Sequence, residues 1–256
     1  MKRVALAIEK GGTGKTTSAV HLAHGLSLMG RNVLLVDTDT QDQCAAHLGV
    51  KQFQPGLAEL ILGRGTPRQV VQRVRPRLYL LPAGDALDQV KADLDRIAAQ
   101  AGVDKGRILE RALSFTESGR LDCIVLDTAP GSDAFLLNVL LFADTVITPV
   151  PPEMLAIRGM VRFFRTLRLL GRSVDHILPT IHDKRVSKTA RIMAKLEERY
   201  GALLLDKISY TSFISEAAGA GLTIFEYKPG HLAAQEYMRL AETIDKDTGT
   251  WRTNAA

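Results

Sequence analysis

The chain is poor in cysteine: Cys44 and Cys123 are the only two in 256 residues, and no C-x-x-C pair exists. That excludes a zinc ribbon or a dithiol redox centre and leaves two reduced, small apolar residues as the simple reading. No apolar run approaches the length needed to cross a bilayer. Met1-Lys2-Arg3 leads into "VALAIEK", too short an apolar stretch for a secretory signal, so a cytoplasmic location is expected. No 20–50-residue repeat and no low-complexity linker occurs, which argues against a solenoid or a string of domains.

What is present reads as one domain spanning residues 1–256, with about the last ten as a tail. Hydrophobic residues make up 46% and charged residues 24%, enough for a substantial core. Short apolar runs alternate with amphipathic stretches. Strands are expected at 4–8, 32–37, 78–84, 123–127, 145–150, 176–181 and 203–209. Helices are expected at 16–29, 57–62, 86–99, 104–115, 153–170, 187–200 and 231–245. This alternation predicts an α/β fold, a mostly parallel central sheet with helices on both faces. In such sheets ligands sit at the carboxyl ends of the strands, so the loops after Ile8, Asp37 and Asp127 converge on one edge.

The first of those loops is "EKGGTGKTT", residues 9–17. It follows a strand and opens a helix, the context that marks a phosphate-binding loop. Gly11, Gly12 and Gly14 let backbone N–H groups turn inward around Thr13, and the helix N-terminus adds its positive dipole end. Lys15 reaches terminal phosphates; Thr16 can ligate Mg²⁺, and Thr17 completes the loop. These are the residues of a nucleotide·Mg²⁺ site in a P-loop NTPase. The loop lacks one thing: the first glycine of G-x-x-x-x-G-K-[ST] is replaced by Glu9, followed by a second lysine, Lys10.

Two acidic segments accompany the loop. "VLLVDTDTQDQ" places Asp37 and Asp39 just after a strand, where they serve equally as a cap or turn or as metal-site groups. "LDCIVLDTAPG" ends an apolar strand at Asp127, the form of an acid that supports Mg²⁺. Each is weak alone; the three elements in this order are strong.

Together they resemble the ParA/MinD family of deviant Walker A P-loop ATPases, and in particular ParA-like members without an N-terminal helix-turn-helix domain. "KGGTGKTT" is similar to the family's deviant loop, "VDTDTQ" to D-x-D-P-Q and "VLDTAPG" to D-x-x-P. "LPTIHDKR" (178–185) and "SEAAGAGLTIFEYKPG" (215–230) resemble later ParA segments. The resemblance implies a dimer formed around ATP, in which Lys10 reaches the phosphates held by the other subunit. It implies that Asp39 orients the attacking water, that Asp127 supports Mg²⁺ and that Asp37 stands near the metal. It further implies slow ATP hydrolysis stimulated by a partner of ParB-like role. Thr40 departs from the family's proline, and Tyr210 and Phe213 stand where arginines usually stand.

The net charge of +5 is unevenly placed: residues 151–200 hold eleven Lys/Arg against five acids, a local +6. Such a field points to a polyanion. Arg158, Arg162, Arg165 and Arg168 share one side of a helix and serve equally as a solvated face. Lys184, Arg185 and Lys188 span a loop and helix start, and Arg185 matches a position the family uses for DNA. Aromatics do not interleave the basic residues, so a single-strand binder is not expected. The expectation is non-specific duplex DNA binding in the ATP state, nucleoid association, and partitioning of a plasmid, a chromosome or a protein assembly. The alternative is a MinD-like membrane-surface ATPase, which needs an amphipathic basic C-terminal helix; "AETIDKDTGTWRTNAA" shows no sustained apolar face. A reductase or cluster carrier needs cysteines that the Asp127 turn lacks.

Overall fold

A computed structural model describes residues 1–50, 55–183 and 185–247. The expected tail and Lys184 lie outside them, apart from Asp247. The chain runs β1 (Lys2–Leu6), α1 (Lys15–Leu28), β2 (Val33–Asp37), α2 (Gln43–His47), α3 (Leu57–Ile61) and α4 (Pro67–Val70). It continues through β3 (Gln72–Arg75), β4 (Leu78–Leu81), α5 (Leu87–Ala92), α6 (Leu94–Ala101), α7 (Ile108–Ala112), β5 (Cys123–Asp127) and α8 (Ala134–Phe142). Then come β6 (Thr145–Val150), α9 (Met154–Leu169), β7 (His176–Pro179), α10 (Ser187–Tyr200), α11 (Ser212–Gly219), α12 (Ile224–Tyr227) and α13 (Leu232–Lys246).

Among the described residues, seven strands form one sheet in the order β3-β4-β2-β5-β1-β6-β7. All pairs are parallel except the edge pair β3–β4. Strand side chains alternate between faces, and each face buries its own layer. Val4, Leu6, Val33, Leu35, Cys123 and Val125 pack with α1 and α13. Ala5, Leu34, Val36, Ile124 and Leu126 pack with α3, α5, α6, α7 and α8. Ala7, Ile8, Val146 and Val150 pack against α9 and against Leu196 of α10. With both faces covered, the central strands read as continuous apolar runs.

Several elements differ from expectation. The helix expected at 86–99 is broken at Asp93 into α5 and α6, and that at 104–115 is the short α7 flanked by 3-10 turns. The expected strand 203–209 runs beside β7 but makes only isolated bridges, Ile177 with Leu204 and His182 with Ser209. Pro179 in β7 has no N–H to donate, so a regular ladder cannot continue there. β3 and the helices α2, α4, α8, α11 and α12 were not expected. β3 is a polar edge strand, "QRVR", whose antiparallel hairpin turns through Arg77 at φ 60°.

The register fixes the site. Asp37 of β2 stands directly opposite Asp127 of β5, and Leu6 of β1 stands on the other side of Asp127. Three consecutive central strands therefore end at one level, with three loops above them.

Candidate nucleotide and cation site

The phosphate loop is held from several sides. Gly14, at φ 85°, caps the N-terminus of α1 in the left-handed conformation that favours glycine. A Cβ there would approach Thr180 at 3.7 Å, and the Thr180 hydroxyl donates to Thr13 O at 2.8 Å. Gly131 N donates to Glu9 O at 2.7 Å, tying the turn after Asp127 to the loop. The Thr128 hydroxyl donates to Leu6 O at 2.8 Å, and Thr38 donates to Asp127 O from both its N–H and its hydroxyl, at 3.1 and 2.6 Å. The three loops thus form one hydrogen-bonded block rather than three independent segments.

Between them lies a cleft of about 350 Å³ lined by Gly11, Gly12, Thr13, Gly14, Lys15, Thr16, Thr17, Asp39, Gln41, Gln43, Pro130 and Ile181. Every phosphate-loop residue from Gly11 to Thr17 lines it. Lys15 is buried, and its ammonium donates to Lys10 O at 3.1 Å. Burial lowers the Lys15 pKa, while Asp127 and Asp39 pull it back up. Asp39 is buried, and its Oδ1 accepts from Gln41 N at 3.1 Å, which fixes the carboxylate at the cleft wall.

Asp37 and Asp127 stand side by side at the ends of β2 and β5, beneath the loops and with no exposed surface. Asp37 Oδ1 accepts from Asp39 N at 2.9 Å and Oδ2 from Cys44 N at 3.0 Å. Burial first, and then the charge of Asp127, push the Asp37 carboxyl well above its ordinary pKa. Burial likewise pushes Asp127 up to about 6, against the hydrogen bond of the Thr16 side chain and then the pull of Lys15. Asp127 Oδ1 is buried with no hydrogen-bond partner. An orphaned carboxylate oxygen in a dry site is costly unless a ligand meets it. The hydroxyl of Thr16 on the cleft wall and the carboxylate of Asp127 are hard oxygen donors, and they fit Mg²⁺.

Lys10 does not line its own cleft. Its ammonium lies 3.5 Å from Glu153 Oε2, just before α9. Glu9, at the position of the missing glycine, is buried and bound by Arg162 and Thr166 of α9. Arg162 is therefore committed to an acid next to the loop. Arg185 is also paired: it grips Asp183 through Nε and Nη2 at 2.9 and 2.7 Å, at the surface. Arg158 and Lys188 are exposed, as are Arg165 and Arg168, with no acidic partner among the described residues. The basic residues are thus not brought into the cleft; they sit on α9, on α10 and in the loop before α10.

Sequence reasoning missed a second cleft of about 160 Å³ that shares Gly14, Thr17 and Ile181 with the first. Thr180, Tyr210, Ile214 and Tyr237 also line it. Ile181 holds φ 53°, an unusual conformation for a β-branched residue, and its side chain borders both clefts. The segments 178–185 and 215–230 stood out in the sequence, but nothing in them marks a pocket.

An AAA-domain family model matches residues 1–180. The chromosome-partitioning ATPase Soj of Thermus thermophilus is 32% identical over 260 residues, covering 95% of each chain. A Cobyrinic acid a,c-diamide synthase of Mycobacterium smegmatis, solved with bound ADP and magnesium, is 28% identical at a TM-score of 0.76 and covers 95% of this chain and 94% of its own. A McdA variant of Cyanothece in complex with ATP superposes at a TM-score of 0.79 over 95% of each chain, and at 22% identity it speaks to the fold alone.

Proposed function

The chain belongs to the ParA/Soj/MinD family of deviant Walker A P-loop ATPases, and from that premise we propose that it is an ATP-switched, DNA-binding partitioning ATPase. In this reading ATP brings two copies together face to face, the dimer binds duplex DNA without sequence preference, and hydrolysis releases it. A partner of ParB-like role stimulates hydrolysis, and repeated cycles move or space a cargo on the nucleoid within the cytoplasm.

The observation that carries the reading is the pair of lysines. Lys15 faces the cleft of its own loop, whereas Lys10 is turned out of that cleft toward Glu153 at the protein surface. A lysine in that position is available to the phosphates of a second copy. Two cations at the β/γ phosphates would stabilise the charge that develops during phosphoryl transfer. Mg²⁺, when bound through Thr16 and Asp127, supplies further neutralisation of those phosphates. In this reading Asp39, whose carboxylate is held by Gln41 N–H, orients the attacking water against the terminal phosphate. The smaller cleft beside Tyr210 and Ile181 suits a nucleobase, apolar on its walls and continuous with the phosphate cradle.

For DNA, Arg158, Arg165, Arg168 and Lys188 supply exposed charge with no acidic partner among the described residues, and Lys184, Arg185 and Arg162 add to the basic content of the same segment. The last described helix supports DNA over a lipid surface, because α13 buries Leu240, Ala241 and Ile244 in the protein core. The deciding experiment measures duplex DNA binding without nucleotide, with ADP and with a non-hydrolysed ATP analogue. Binding only with the analogue supports the switch. Equal binding in all three states, or none in any, overturns it.

A further inference from the structure

The phosphate loop is gripped by α9 at the two residues that set it apart, Glu9 and Lys10. The Glu9 side chain is only 6% exposed, and both of its carboxylate oxygens end on α9. Oε2 accepts from Arg162 Nε and Nη2 at 2.8 and 2.6 Å, and Oε1 from the Thr166 hydroxyl at 3.1 Å. Lys10 lies along the same helix. A Cβ at Gly159 would stand 3.7 Å from Lys10 Cβ, and the Lys10 ammonium reaches Glu153 at the N-terminal end of α9. Gly159, Arg162 and Thr166 follow spacings of three and four, so one face of the helix meets both loop residues.

The two ion pairs are unequal. Arg162 makes two short bonds to a buried acid. Lys10 makes one contact of 3.5 Å to Glu153, whose side chain is 65% exposed. Such a surface pair is weak, and a phosphate displaces it easily. A buried carboxylate next to a lysine ordinarily takes that lysine as its partner. Here Arg162 stands in the way.

We propose that Arg162 is a positioning residue for Lys10: it neutralises Glu9 and holds it on α9, so that the adjacent lysine keeps its charge for a phosphate outside its own cleft. Without Arg162, Glu9 retains only the Thr166 bond, and a buried acid deprived of its cation captures the neighbouring lysine. Lys10 is then occupied within its own chain. The cleft keeps Lys15 and the loop N–H groups, so nucleotide binding does not depend on this arrangement. The inference rests on the cross-subunit role of Lys10 in the proposed ATPase and adds the residue that keeps Lys10 available.

The test contains no DNA. ATP turnover, dimerisation with a non-hydrolysed analogue and affinity for a fluorescent nucleotide are measured on the full-length parent, Arg162→Ala, Lys10→Ala and the double variant Glu9→Gln/Arg162→Ala. Arg162→Ala is expected to lower turnover and dimer affinity by about tenfold, with nucleotide affinity within about twofold of the parent. The double variant, which lacks the acid that captures Lys10, is expected to recover most of both. A role confined to bracing the loop gives a different result, because a loosened loop loses nucleotide affinity along with turnover. Thermal melts check folding, and Arg162→Gln carries the single-variant test if Arg162→Ala does not fold. Three results overturn the inference alone, each beside a defective Lys10→Ala: parent-like turnover and dimerisation in the Arg162 variant, a parallel loss of nucleotide affinity, or a double variant as impaired as the single one. A Lys10→Ala protein that behaves like its parent overturns the cross-subunit reading and this inference with it.

Discussion

Arg162 of α9 reaches Glu9 at the start of the phosphate loop, with Nε at 2.8 Å and Nη2 at 2.6 Å from the same carboxylate oxygen. The Thr166 hydroxyl holds the other oxygen at 3.1 Å. The residue that replaces the first glycine of the standard loop is therefore an anchor for a neighbouring helix. Arg162→Ala leaves Glu9 buried with one hydrogen bond and is expected to cost about 1–2 kcal/mol, the range for a charge-assisted bond discounted for the exposed guanidinium. Arg165→Ala, with no acidic partner among the described residues, is expected to leave stability unchanged. Urea unfolding midpoints of the two variants check this; equal midpoints would remove the anchor role.

The two lysines of the loop are expected to separate by readout. Lys10→Ala retains nucleotide binding and loses ATP-dependent dimerisation or turnover. Lys15→Ala loses nucleotide affinity by about tenfold or more, since it removes a charge-assisted contact to phosphate. Fluorescent-nucleotide titration and size-exclusion chromatography with a non-hydrolysed analogue distinguish them. A Lys10→Ala protein that dimerises and hydrolyses like its parent refutes the cross-subunit role.

DNA binding is expected to weaken steeply with salt, because contacts to phosphates release counterions. Each of Arg158→Ala and Lys188→Ala should lower the slope of log affinity against log salt by about 1 if it contacts a phosphate. Arg185→Glu should lower affinity further, since it also frees Asp183 from its ion pair. Full affinity in Arg185→Glu removes that residue from the interface.

His21 sets a pH dependence of folding. It is buried and stacked on Tyr237, its Nδ1–H donates to Thr17 O at 2.7 Å, and its Nε2 accepts from Ile224 N at 3.0 Å. Burial pushes its pKa down to about 3. The unfolded chain protonates near pH 6.5 and the folded one does not, so this contribution is full above 6.5 and is lost as pH falls. The loss is about 1.4 kcal/mol per pH unit, or about 2 kcal/mol by pH 5. His21→Asn keeps a donor and an acceptor but does not titrate. The stability difference between it and the parent should therefore shrink by that amount from pH 7 to pH 5, measured by urea unfolding.

Lys2 is wholly buried, with its ammonium on Ile244 O, Asp247 O and Asp247 Oδ2 at 3.0, 2.8 and 3.3 Å. It closes the C-terminal end of α13 from the first strand. Lys2→Met removes that closure and strands carbonyls at a buried helix end, at a cost of about 1–3 kcal/mol. Faster amide exchange confined to the last turn of α13 would locate the effect; unchanged exchange and melting would refute it.

The sequence by itself determined what is local. Apolar runs and helical periodicity marked six of the seven strands and the long helices, because burial on both sheet faces writes itself into consecutive residues. Strand, glycine-rich loop and helix in direct succession marked Lys15, and Lys10 was marked by its place in that loop. The edge strand β3 escaped because a polar strand carries no such pattern, and residues 203–209 misled because an apolar run does not reveal that its neighbour holds a proline. Only the tertiary structure decided which residues meet. Glu9 and Arg162 are 153 positions apart, and Cys44 and Asp127 are 83 apart. No local period couples such positions; parallel-strand register and the crossover of α9 do. That is why Cys44 read as an inert apolar residue in the chain and stands, in the fold, between the two buried carboxylates.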